Sequence, residues 1–358
     1  MRCPRSELID QNEINVLHVM SRTTRRCFLF GDDTLTGKNY DHRKVWIEET
    51  LEHFAAQFGI DLLAYAILSN HFHLVLRTRP DVVASWSDQE VASRWLAICP
   101  IRRNRDGTPA KPTKKEIRSI AGCPVKLAER RKRLSSVSWW MRLLCQRIAT
   151  RANREENECG RFFQDRYKAT RLIDEASILA ASVYVDLNVI RAGIAETIEQ
   201  SDHTSAQKRA QSLQGELEDS VEPKTKRPPV EQLRPDDFLS PVDLQEAGGE
   251  VGPVASASGR RLSDKGFLAM SDADYLSLLD WTARQSRDGK HRTPAEFPPV
   301  LGRLGIEASN WLELSGDFGR LFGLVAGRSD RVLKHRSGKR GRRFHLRRRA
   351  KELLPPPA

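Results

Sequence analysis

Two strand-like runs parted by only two polar residues constrain this chain most. Residues 60–68 and 71–78 are each long enough for a strand, and only Ser69-Asn70 lies between them. A break of two residues between such runs predicts a β-hairpin. The second run opens with His71-Phe72-His73. Side chains two apart on a strand share a face, so both imidazoles project together and Phe72 points the other way. Two neutral imidazoles on one face can hold a divalent metal. The same three residues also suit one exposed histidine and one in the core.

The runs around the hairpin extend the pattern. Residues 14–23 are rich in branched side chains and read as a strand. Val45, Ile47, Leu51, Phe54 and Phe58 recur at helical spacing, and Gly59 supplies the stop. Residues 82–99 read as a helix, 102–115 as a basic loop and 139–156 as a second long helix. A strand over 161–173 follows. A helix capped by Asp174 then runs to about Ala192 and ends at Gly193. The order strand, helix, strand, strand, helix, strand, helix predicts an α+β fold. It suits a split β-α-β arrangement on an antiparallel sheet with helices on one face.

The last of these helices carries Tyr184 and Asn188, four apart and therefore on one face. A protonated tyrosine is a poor nucleophile, with a free pKa of about 10. It becomes useful where a metal draws charge from a scissile phosphate and stabilises the leaving oxygen. An amide oxygen from Asn188 is a third ligand type beside two histidines. A lone helical tyrosine also reads as a half-buried aromatic that anchors its helix.

Together these segments resemble the single-tyrosine HUH transposases, including the REP-associated tyrosine transposases. Asn70 and Leu74-Val75-Leu76 around His71-Phe72-His73 look like the HUH strand, which carries two histidines about a bulky apolar residue. Leu17-His18-Val19-Met20-Ser21-Arg22 resembles the family's first strand. The stretch from Gly160 to Lys168 resembles its last core strand. Tyr184-Val185-Asp186-Leu187-Asn188, with Arg191-Ala192-Gly193, resembles its tyrosine helix. Ser69 and Val189 stand where many relatives have proline.

The resemblance implies a ferredoxin- or RRM-like HUH nuclease core. It further implies Mg²⁺ or Mn²⁺ held by His71, His73 and Asn188, with Tyr184 as the catalytic nucleophile. The activity implied is cleavage and rejoining of single-stranded DNA, beside hairpins, through a 5′-phosphotyrosine, with the chain acting as a homodimer. Other readings are a catalytically silent DNA-binding or regulatory protein derived from a transposase, a replication initiator or relaxase, and a metal-dependent RNase. No P-loop is present to favour the initiator.

Charge agrees with a polyanionic partner. Lys and Arg outnumber Asp and Glu by 59 to 47, a net charge of +12, and such residues release counterions on meeting phosphates. Near the motifs, Arg22, Arg77, Arg166, Lys168 and Arg191 are candidates for DNA-phosphate contacts, or else solvated surface charges. His18 could approach the site, although a structural role suits it as well. Trp139, Trp140, Phe162 and Phe163 could stack bases but fall on apolar stripes that favour core packing.

The expected organisation is a catalytic domain over 12–205 with an insertion at about 88–138, then a partly disordered linker over 206–260. A small, mainly helical C-terminal domain over 261–327 and a basic tail over 328–358 complete it. No C-x-x-C pair, signal peptide or membrane-length apolar run is present, so a cytoplasmic protein is expected.

Overall fold

Leu17 and Val19, two apart and buried on one face, anchor the first strand, β1 (Val16–Arg22). This computed structural model describes residues 4–24, 29–33, 37–105, 108–221, 233–244, 256, 258–287, 298–336, 341 and 343–355. After β1 the main elements are α1 (His42–Gln57), β2 (Ile60–Ile67), β3 (His71–Thr78), α2 (Asp88–Ile98) and α3 (Lys114–Ala121). Then come α4 (Pro124–Leu134), α5 (Val137–Glu156), β4 (Lys168–Leu172), α6 (Glu175–Asp186) and α7 (Asn188–Arg191). The rest of the chain adds α8 (Ser205–Val221), α9 (Asp272–Arg287), α10 (Ala308–Leu321), β5 (Val325–Ala326) and α11 (Arg348–Leu353).

The fold is α+β, with a mixed five-stranded sheet in the order β2-β3-β1-β4-β5. β3 pairs antiparallel with both β2 and β1, so those two run parallel on either side of it. β4 pairs antiparallel with β1, and β5 joins β4 in parallel. The sheet departs from the expected antiparallel one through that last strand, which the C-terminal region supplies.

Helices cover both faces of the sheet rather than one. Leu17, Val19, Phe72, Leu74 and Leu76 bury against Ile47, Leu51 and Phe54 of α1 and Trp140, Leu144 and Ile148 of α5. On the other face Leu63, Ala64 and Val75 share a core with Leu179 and Val183 of α6, Leu279 of α9 and Leu314 and Phe318 of α10. A bulge between Leu62 and Ala64 shifts the alternation of β2. All eight residues of β2 are buried, which accounts for its apolar run from Leu62 onward: a strand covered on both sides has no polar face to show, and the one charge, Asp61, is paired with Arg77.

Local chemistry moves several boundaries. The helix expected over 82–99 splits, because the Ser87 hydroxyl accepts from the Glu90 amide and starts α2 afresh. The strand expected over 161–173 is short, since β4 begins only at Lys168. Trp140 and Phe162 are core residues.

Of the expected linker, residues 222–232, 245–255 and 257 lie outside the described residues. The part from Ser205 is a packed helix: Arg209 donates to the Leu63 and Ser240 carbonyls, and Ser212 to Asp236. In the basic tail, residues 337–340, 342 and 356–358 lie outside the described residues. The remainder is folded, with Val332, Phe344, Ala350, Leu353 and Leu354 buried. Arg343 pairs with Glu7, and Arg349 with Glu313 and Glu352. Among the described residues no helix is long and apolar enough to cross a membrane.

Candidate active site

Strand alternation sends His71 and His73 to the α6 side of the sheet, with ring centroids 5.0 Å apart. The Nδ1 of His71 lies 2.6 Å from the Asn70 side-chain oxygen. An N–H on Nδ1 donates there and leaves Nε2 with a lone pair. His73 is held in a similar way, because its Nδ1 is 2.8 Å from Nε2 of His18, with the two rings stacked. Its own Nε2 is buried and has no partner. Burial pushes His18 and His71 down to about 4, with the charge of Arg22 adding to the effect on His71. Burial, then His18, His71 and Arg22, hold His73 well below the usual histidine value. All three are neutral at pH 7 and keep lone pairs for a ligand role.

Tyr184 comes from α6. The helix starts firmly, with the Asp174 carboxylate accepting from the Ser177 amide at 2.9 Å. The helix is almost wholly buried, but Tyr184 is half-exposed. Its ring meets His73 edge-on at 5.5 Å and His18 at 5.7 Å. Three separate elements thus converge on one place. Leu187 (φ −87°, ψ 1°) interrupts the helix, and Asn188 opens α7 beyond it, half-buried like Tyr184.

His18, His73, Arg166, Lys168 and Tyr184 line one cavity of about 440 Å³. His71 and Asn188 are not among its lining residues. His71 reaches it through His73, and Asn188 is placed only as the residue one turn past Tyr184.

The five candidate phosphate contacts divide. Arg166 and Lys168 face the cavity. Arg22 sits opposite His71 in the β1–β3 register and keeps a buried Nε without a partner. Arg191 donates to the Tyr184 carbonyl at 3.3 Å, and its guanidinium is 5.7 Å from the tyrosine ring. Its Nε and Nη2 are buried and unpartnered, and burial pushes its pKa down to about 10, so it stays charged. Buried donors left unmade cost about 1–3 kcal/mol each, which suits an anion arriving beside Tyr184.

Arg77 corrects the expectation. It is only 6% exposed. It pairs with Asp61 at 2.7 Å and donates to the Gly266 and Lys265 carbonyls. No donor faces outward for DNA.

Sequence reading missed the far wall. Phe318 of α10 lies 5.9 Å from the Tyr184 ring and 5.7 Å from His18. A Cβ on Gly319 would sit 3.2 Å from the tyrosine oxygen. The glycines at 316 and 319 inside a helical apolar pattern were the available signal. Asp186 was also missed. It is buried, accepts from the Tyr275 hydroxyl at 2.7 Å and from Ser205, and burial raises its pKa to about 6.

Among the described residues no group of three or more His, Cys, Asp and Glu is arranged to hold a metal. A metal here would need a ligand of another type beside the histidines. The unpartnered, buried Nε2 of His73 is the observation that fits a metal.

No family model matches this chain, and no curated protein does. Among solved structures it is similar to a REP-associated tyrosine transposase bound to a REP hairpin. The TM-score is 0.30 at 9% identity, over 60% of this chain and 87% of that one.

Proposed function

We propose that this chain is a transposase that cleaves and rejoins single-stranded DNA through a 5′-phosphotyrosine on Tyr184. The observation that carries the reading is the meeting of His73, His18 and Tyr184 from β3, β1 and α6, with His73 Nε2 buried and unpartnered. β1 and β2, parallel on either side of β3, support reading the core as the split β-α-β of an HUH nuclease.

In the step proposed, the Tyr184 oxygen forms a bond to phosphorus and the bond from phosphorus to the 3′-oxygen breaks. The tyrosine proton passes to solvent, and the 3′-oxygen leaves as a hydroxyl. Resolution reverses this with an incoming 3′-hydroxyl, so the phosphodiester energy is kept in the tyrosine link. Arg191 offers its two free donors beside Tyr184, while Arg166 and Lys168 position the backbone without reading sequence. His71, His73 and Asn188 would hold Mg²⁺ or Mn²⁺, which when bound draws charge from the scissile phosphate. The substrate proposed is a single strand beside a hairpin, and the acting form a homodimer.

A second reading, a DNA-binding protein that no longer cuts, draws on one observation. Phe318 and Gly319 pack over Tyr184, so a strand has to share that space with α10.

The test mixes the protein and either Mn²⁺ or Mg²⁺ with labelled single strands from the DNA flanking its own gene, beside Tyr184→Phe and His71→Ala. A label-bearing protein band on a denaturing gel, seen with wild type alone, is expected. Strand binding without any such band, with either metal, would favour the second reading.

A further inference from the structure

The insertion concentrates the chain's charge. Residues 88–138 hold thirteen Lys and Arg against five Asp and Glu, an excess of eight out of the whole chain's twelve. Most of this segment folds as α2, α3 and α4, packed outside α1 and α5. It therefore lies on the helical layer that covers the face of the sheet opposite Tyr184.

A built feature stands there. Trp95 of α2 and Trp139 of α5 meet edge-on at 5.8 Å. The Arg133 guanidinium lies 4.0 Å from the Trp139 ring centre, Arg142 lies 4.8 Å from the same ring, and Arg130 lies 4.8 Å from Trp95. Arg130 and Arg133 share a single carboxylate, Glu129. Arg142 is exposed and has no ion pair among the described residues. Arg130 also keeps a buried Nε without a partner. Three like charges this close repel, and burial together with Arg130 and Arg142 lowers the pKa of Arg133. An anion would offset that repulsion.

The form of the patch selects among anions. Both indoles already carry arginines, so the patch offers charge and few open aromatic faces. Single strands are held by stacking platforms, whereas a duplex keeps its bases stacked and presents phosphate. We infer that Arg130, Arg133 and Arg142, mounted on Trp95 and Trp139, form a second nucleic-acid surface that grips the backbone of duplex DNA away from Tyr184. The surface acts without metal and without the tyrosine, so it stands apart from the cleavage chemistry.

The test is anisotropy of a short blunt-ended duplex with the full chain in EDTA, across a salt series. Arg133→Glu with Arg142→Glu is compared with Arg284→Glu with Arg320→Glu, a control of equal charge change at side chains 76% and 87% exposed. The patch pair should weaken binding by about tenfold or more, and flatten the log–log salt slope by about two. The control should stay near wild type. Arg142→Glu alone, at an exposed position, should show a smaller loss in the same direction and guards against misfolding. Equal losses in both pairs, or none, would overturn the surface. A larger loss for a single strand than for the duplex, or a loss only toward anionic phospholipid vesicles, would overturn its assignment to duplex DNA. The Tyr184 adduct is read separately, so its failure leaves this result intact.

Discussion

His73 gives one ring nitrogen to His18 and keeps the other buried with nothing to bond. A neighbour that fixes the tautomer of a ligand is worth about 10–100-fold in metal affinity. His18→Phe, which keeps a ring in the stack and removes the acceptor, should weaken Mn²⁺ binding by about that factor in calorimetry. Acid should act on the same cluster. His18 and His71 titrate at about 4 in the fold against 6.5 when unfolded. Between those values the unfolded chain binds protons that the folded one does not, so stability falls as pH drops from 6.5 toward 4. Each unit of depression is worth about 1.4 kcal/mol. Metal-free protein should melt lower at pH 5 than at pH 7, and His18→Phe should lose less over that interval. That His71 and His73 share a face was legible because a period of two is local, whereas the period of four from Tyr184 to Asn188 runs across the break at Leu187. The position of His18 was not legible, since it depends on the β1–β3 register, where Met20 and not His18 faces His73. Arg77 misled for the same reason: its partner Asp61 is its cross-strand neighbour on β2, which no local pattern reveals.

Two elements decide how the tyrosine helix is held. From within the fold, Asp186 ties α6 to α8 and α9 through Ser205, the Ala206 amide and Tyr275. Burial raises its pKa from 3.8 to about 6, so the folded state binds the extra proton and loses stability as pH rises through that window. Asp186→Asn has no such loss. Its stability relative to wild type should improve by up to about 3 kcal/mol between pH 4 and pH 7, read from denaturant midpoints at each pH. From outside, α10 lays Phe318 and Gly319 on Tyr184. Gly319→Ala puts a methyl into a tight contact with the tyrosine oxygen, while alanine is favoured over glycine in a helix by about 1 kcal/mol. The melting temperature should therefore change little while adduct formation slows, and a variant as fast as wild type would show that α10 does not bear on the nucleophile. α6 itself was readable from its cap and apolar run. That α10 covers it was not, because nothing between 187 and 308 fixes where the chain returns.

At the scale of the molecule, composition was a poor guide to what is structural. The stretch after 205 is charged and nearly free of aromatics, yet it is anchored by Ser205, Arg209 and Ser212, polar residues that are all buried. The basic tail is likewise held by a few spaced apolar side chains. Both contribute to one assembly, since the C-terminal helices complete the core on the second face of the sheet and β5 extends its edge. This has a consequence for unfolding. A chain ending at 204 would strip α8, α9 and α10 from the core around Leu63, Ala64 and Val75 and remove the Lys265 and Gly266 carbonyls that receive Arg77. Arg77 keeps its pair with Asp61, but each large apolar side chain left uncovered costs about 1.5–3 kcal/mol, and several are. That is a large share of the roughly 5–15 kcal/mol that stabilises an ordinary domain. The shortened chain should therefore lack a cooperative melt. The full chain should show a single calorimetric transition whose van 't Hoff and calorimetric enthalpies agree. Two separable transitions, the first sparing the adduct-forming activity of residues 12–205, would instead mean that the C-terminal region folds as an independent body and that its contacts with α6 contribute little to the sheet.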